Sequence, residues 1–177
     1  MHINKLIRKT GSVLLFTVIA LIGMTQGIQA ATSVSGTISA NTTWSLVNSP
    51  FQVTADVSVA NGATLTIEAG VKISFDAGTN LTVSNGALNA RGTAGQPIIF
   101  TSSLDVTAGT PAPGDWGQVR FLDASNDSTT ILEYAQIRYG KGISVQAAAP
   151  TFNYLQLTQN LGSAMTSLRK FCVLVLY

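Results

Sequence analysis

The sequence predicts an all-β chain wound as a parallel β-solenoid of about five or six coils, preceded by a signal-peptide helix. Three observations carry that prediction. No stretch after Ala31 shows a 3.6-residue apolar period. Short alternating segments bounded by turn residues fill the chain instead, the pattern of many-stranded β folds. Pairs of inward-pointing residues recur at intervals of about twenty residues, the length of one solenoid coil.

The elements follow in chain order. Residues 1–30 read as a signal peptide: Lys5, Arg8 and Lys9 open it, "GSVLLFTVIALIGM" is its apolar core, and Ala30 and Ala31 flank the expected cut. That core is short for a membrane span, which needs about 20 residues, so contact with a membrane is expected only during export. Removing the segment takes three of the ten basic residues and none of the eight acidic ones, leaving a net charge of −1. The basic balance of the whole chain therefore belongs to the signal and gives no argument for nucleic-acid binding. Charged residues make up 10% of the chain, against about 25% in typical domains. With abundant Thr, Ser, Asn and Gly, this suits an extracellular β-rich surface. Cys172 is the only cysteine and so cannot form an internal disulfide.

Residues 31–50 form a lead-in, and residues 51–165 the coils. Candidate strands are "DVSV", "ATLTI", "VKISF", "NLTV", "ALNA", "PIIF", "QVRF", "TILEYAQIRY" and "GISV", separated by turns such as "NG" at 61–62 and 85–86 and "AG" at 69–70 and 77–78. Val57/Val59, Leu81/Val83, Ile98/Phe100, Val119/Phe121, Ile137/Tyr139 and Leu155/Leu157 make the series of inward pairs. A sandwich would show paired hairpins, whereas the loops here are uneven and residues 102–117 form a long one. Stacking is also required energetically. About five inward side chains per coil give roughly 1.5–3 kcal/mol each, while ordering some twenty residues costs about 1–2 kcal/mol apiece. One coil cannot stand alone.

At this point the residues resemble a known family. "GTISANTTWSLVNSPFQVTADVSVANGATLTIEAGVKISFDAG", "LTVSNGALNARGTAGQPIIFTS", "PGDWGQVRF", "LEYAQIRYG" and "APTFNYLQLTQN" are similar, in order as well as composition, to right-handed parallel β-helix (pectin-lyase-like) domains of secreted and surface proteins of bacteria and archaea. The resemblance covers roughly residues 35–165. It implies the fold, with Trp44 and Phe51 covering the first coil, and no shared catalytic motif. It also implies further coils or a further domain downstream.

Residues 166–177, "TSLRKFCVLVLY", depart from everything upstream. Three readings stand: a truncation or frameshift near Thr166–Ser167, a closing strand over the last coil, or an aromatic-ended outer-membrane targeting signal.

Chemistry is sparse. His2 falls in the signal segment, so His-based triads, Cys–His pairs and His/Cys zinc sites are not expected. No phosphate- or dinucleotide-binding glycine motif stands between a strand and a helix. A polysaccharide lyase would need clustered carboxylates for Ca²⁺ and a cationic base, and a hydrolase two carboxylates flanking the bond. Asp105, Asp115, Asp123, Asp127 and Glu133 are instead scattered over turns, and Glu68 and Asp76 precede turns. They read as turn residues.

Arg120 and Arg138 each centre an apolar–Arg–apolar triplet, so both should point outward. Their 18-residue spacing predicts adjacent rungs about 4.8 Å apart, with Asp123, Glu133 or an acidic sugar neutralising them. Trp116 in "GDWG" is either a sugar platform or a ring packed over a coil. Trp116, Arg120 and Arg138 are therefore the candidate glycan contacts, with no catalytic, cofactor-binding or metal residues assigned. The expected function is a non-catalytic, secreted or cell-surface module, a rigid scaffold or adhesin-like element with weak contact to extracellular polysaccharide. The alternative is a remnant or atypical lyase or hydrolase of acidic polysaccharide, the only reading that calls for a cofactor, Ca²⁺.

Overall fold

A computed structural model of the chain describes residues 29–163 and 165–168. The signal segment up to residue 28 and the tail from residue 169 lie outside the described residues. Strands β1 (Thr32–Ile38) and β2 (Thr42–Trp44) open the described chain, followed by β3 (Phe51–Val59), β4 (Thr64–Ile67) and β5 (Lys72–Phe75). Next come β6 (Leu81–Val83), β7 (Ala87–Arg91), β8 (Ile98–Ser102), a single helical turn α1 (Ser103–Val106) and β9 (Val119–Phe121). The last strands are β10 (Ile131–Arg138), β11 (Ile143–Gln146), β12 (Thr151–Thr158) and β13 (Met165–Leu168). Every candidate strand read from the sequence is present, and all pairing is parallel.

The strands stack into three faces of one solenoid of about six turns. The first face runs from the end of β1 through the end of β3, then β6, β9, β11 and β13. The second carries the start of β1, the start of β3, β5, β8, and the ends of β10 and β12. The third is built from β2, β4, β7 and the starts of β10 and β12. Strands β1, β3, β10 and β12 are long because each bends round a corner and serves two faces. The ladder also crosses the compositional break expected at residue 166, since β13 pairs with β11 from Ile143↔Met165 to Gln146↔Leu168.

One expectation about the repeat needs correction. The inward pairs counted in series belong to two faces: Val57/Val59, Leu81/Val83 and Val119/Phe121 lie on the first, Ile98/Phe100, Ile137 and Leu155/Leu157 on the second. Tyr139 is no inward residue but a corner, with φ 64°. All three faces share the same in–out alternation, so alternation alone does not say which face a pair occupies. The true coil is read between paired residues: 24 residues from Val57 to Leu81 and from Val119 to Ile143, but 38 from Leu81 to Val119. The long coil contains the 102–117 segment, in which the Ser102 hydroxyl accepts from the Leu104 N–H at 3.1 Å and caps α1.

The inward side chains make one core. Val53, Leu65, Ile73, Phe75, Leu81, Phe100, Val119, Phe121, Leu132 and Phe152 are wholly buried. Trp44 and Phe51 stack at 5.1 Å in the first coil, where the family resemblance implied them. In the middle of the solenoid, Trp116 lies parallel to Phe75 at 4.1 Å. Gly140 passes directly over the indole; a Cβ there would come within 2.5 Å of Trp116 Cε2.

Gly140→Ala is therefore expected to lower stability by about 1–3 kcal/mol, the usual cost of overpacking. Thermal denaturation should show a midpoint roughly 2–4 °C lower per kcal/mol for a domain of this size. An unchanged midpoint would mean that the backbone over Trp116 gives way freely.

Candidate functional site

The three residues singled out from the sequence sit in three different settings. Trp116 ends the long segment and turns inward. Its ring is fully buried, and its Nε1–H donates to the Arg138 carbonyl at 2.9 Å. An indole in that position packs the core and satisfies its own polar atom; it offers no open face to a sugar.

Arg138 and Arg120 do not form the expected pair of adjacent rungs. Arg120 lies on the first face, in register with Thr82 below and Ser144 above. Arg138 lies on the second, in register with Thr158. The 18-residue spacing is shorter than a coil and carries the chain from the first face across the third, at Ile131–Glu133, to the second. Neither Asp123 nor Glu133 is the partner of either arginine. Arg138 Nη2 instead donates to Asp105 Oδ2 at 2.7 Å, and its Nε to Thr101 Oγ1 at 3.2 Å. The Thr101 hydroxyl closes the triangle by donating to the same Asp105 oxygen at 2.8 Å. With side-chain exposures of 28% and 20%, the pair is sheltered, and charge-assisted bonds of this length are the stronger kind. It pins α1 over the second face, where Ser74 and Thr101 are buried although they point outward.

Arg120 stands in contrast. Its Nε is buried without a hydrogen-bond partner, and no other described buried side-chain atom shares that state. Leaving such a donor unmade costs about 1–3 kcal/mol. The outward positions of the first face in register with it form a row: Thr37, Ser58, Thr82, Arg120, Ser144 and Thr166. Hydroxyls stand along this row at about 4.8 Å intervals with one guanidinium among them, and the Ser144 hydroxyl above it is buried.

The carboxylates weighed for chemistry, Asp123 apart, are bound into the frame. Glu68 accepts from the Leu46 N–H at 2.8 Å and Asp76 from Gln52 Nε2 at 2.9 Å. Asp115 accepts from the Ala112 N–H at 2.9 Å, and Asp56 from the Asn80 N–H at 2.8 Å. Glu133 faces Arg91 at 3.5 Å in an exposed ion pair. Asp127 accepts from Ser125 at 3.5 Å, the limit of such a bond. No three potential metal ligands come together among the described residues, so those residues do not form the carboxylate cluster that Ca²⁺ calls for.

One feature of the surface escaped the sequence reading. Tyr134 and Tyr154 stack at 4.3 Å with planes 9° apart. They hold matching places in "LEYAQI" and "FNYLQL", and aligning those two segments coil on coil would have revealed the pair.

A profile of the family described as pectate-lyase like beta helix domain matches residues 36–177. No match was found among curated proteins or solved structures.

Asp105→Asn should loosen the 102–117 segment and lower the thermal midpoint by a few degrees. In a double-mutant cycle with Arg138→Met, the coupling is expected at about 1 kcal/mol. Strict additivity in urea denaturation would show that the contact holds nothing in place.

Proposed function

The chain belongs to the pectate-lyase-like β-helix family, and from that premise we propose that it is a non-catalytic module, secreted or held at a cell surface, which acts as a rigid scaffold and contacts acidic polysaccharide along its first face. The observation that carries the reading is Arg120, a guanidinium that enters no ion pair among the described residues and stands inside a row of hydroxyls. A carboxylate sugar would accept from the terminal nitrogens of that guanidinium, the buried Nε being out of its reach, and its hydroxyls would meet Thr82 on the neighbouring rung. Bonds to a charged group are worth about 1.5–3 kcal/mol, enough for weak contact.

Rigidity follows from the stacking. Each inner coil is hydrogen-bonded on both sides and shares its core with its neighbours. The family's typical address outside the cell, or on its surface, agrees with the low charge of the chain. The lyase alternative would need a base and a Ca²⁺-binding group of carboxylates beside the sugar. The acids described above instead accept from backbone N–H groups and polar side chains or pair with Arg91 and Arg138.

The test is retention on immobilised polygalacturonate at low salt, with product release measured in parallel. Arg120→Gln should weaken retention about tenfold, in line with the loss of one charged contact. Arg138→Gln should have a smaller effect, since that guanidinium already has Asp105. The polymer is expected to stay intact over long incubation with added Ca²⁺. Release of unsaturated oligosaccharides would replace this reading by the lyase one, and retention indifferent to Arg120 would remove the acidic-glycan contact.

A further inference from the structure

The corner between the third and second faces changes length along the solenoid. In the coil below, six residues, 92–97, connect Arg91 to Ile98. In the coil above, Tyr134 alone connects Glu133, in register with Arg91, to Ala135, in register with Ile98. One coil further, Tyr154 alone connects Asn153 to Leu155. Both tyrosines turn this corner in the left-handed region, with φ 46° and 52°. For a bulky side chain that conformation costs about 1–3 kcal/mol. Asn or Gly would turn the corner more cheaply. The strain is spent twice, at matching positions, on aromatic rings.

The wide 92–97 loop projects beneath the two tight corners, and the step between them is a cleft of about 210 Å³. The stacked rings form one wall, and Tyr154 is 40% exposed. Thr93 and Pro97 form the ledge. Gln136 and Gln156, paired in register two residues beyond the tyrosines, line the cleft as well. None of its lining residues is charged.

We propose that this cleft is a binding site for a neutral pyranose ring, separate from the Arg120 row. The chemistry of its lining selects that class. Aromatic carbon takes the apolar C–H surface of a sugar, while amide side chains donate to and accept from its hydroxyls. An uncharged lining gives no reason to prefer an anion. The volume lies below the roughly 300–1,000 Å³ of pockets for drug-sized ligands and suits one ring. A proline-rich peptide is less well served, because the tyrosines lie against each other at 4.3 Å and leave no slot between them for a prolyl ring.

The site does not depend on the acidic-glycan reading. The experiment is an amide NMR titration of the full chain with a panel of neutral saccharides: methyl glycosides of glucose, galactose, mannose and N-acetylglucosamine, and their disaccharides. At least one should move the resonances of residues 93–97, 134–136 and 154–156 at millimolar concentration and leave the Arg120 strand unmoved. Tyr154→Ala should weaken that binding at least tenfold. Gln136→Ala, which leaves the ring stack and the corner intact, should weaken it several-fold with an unchanged thermal midpoint. Arg120→Gln should leave it unchanged while reducing retention on polygalacturonate, so the two sites fail separately. No shift at these residues from any panel member at 100 mM, or shifts that survive both cleft variants, would overturn the proposal. A proline-rich peptide moving the same resonances where no sugar does would replace it.

Discussion

The in-register parallel ladder is the constraint on which the rest of the structure depends. Each coil donates and accepts hydrogen bonds from the coils on either side, so its three strands must lie over theirs. Additional chain must leave at a corner. A coil can therefore grow from 24 residues to 38 without disturbing the core, provided that the surplus is expelled between Phe100 and Val119 on its way from one face to the next. The expelled segment is then fixed at both ends. Trp116 drops inward onto Phe75, and Asp105 is held on the outer face by Arg138 and Thr101. A corner that is shortened rather than lengthened gives the opposite result, a left-handed residue and a recess beside its longer neighbour.

The same constraint explains how the few charges are used. With most outward positions filled by Ser, Thr, Asn and Gln, an acidic side chain near a corner finds backbone N–H groups or amides at hand. Asp56, Glu68 and Asp115 each accept from a backbone N–H. Such bonds order turns that no helix or disulfide supports. Arg120 departs from this economy because it lies mid-strand, between hydroxyl-bearing rungs and in no ion pair with a corner carboxylate. Its unsatisfied nitrogen is thus a consequence of register, as much as of composition.

Legibility followed the range of the interaction. Alternation and turn residues are local, and all nine candidate strands were found from them. Coil length is nearly local, and the expected twenty residues or so lie close to the 24 of the ordinary coils and far from the 38 of the long one. Which face a strand occupies depends on the number of residues in the corners before it, and the sequence does not mark where a corner begins. The Val57 and Ile98 pairs were for that reason placed in one series although they lie on two faces. Arg120 and Arg138 were set on neighbouring rungs by the same error. The ambiguity at Trp116 has a similar origin, since a Trp after "PGD" is compatible with either direction until the ring's partners, Phe75 and Gly140, are brought to it from other coils.

By itself the sequence determined the fold class, the segment boundaries that turn chemistry marks, and the absence of histidine after the leading segment. These are properties of residue type and short-range order, which no partner can alter. Only the tertiary structure decided which outward side chains share a row, which acids find which donors, and that two tyrosines 20 residues apart share one wall of a cleft. Those outcomes hang on stacking register, a sum over every corner along the chain, and only the folded solenoid carries out that sum.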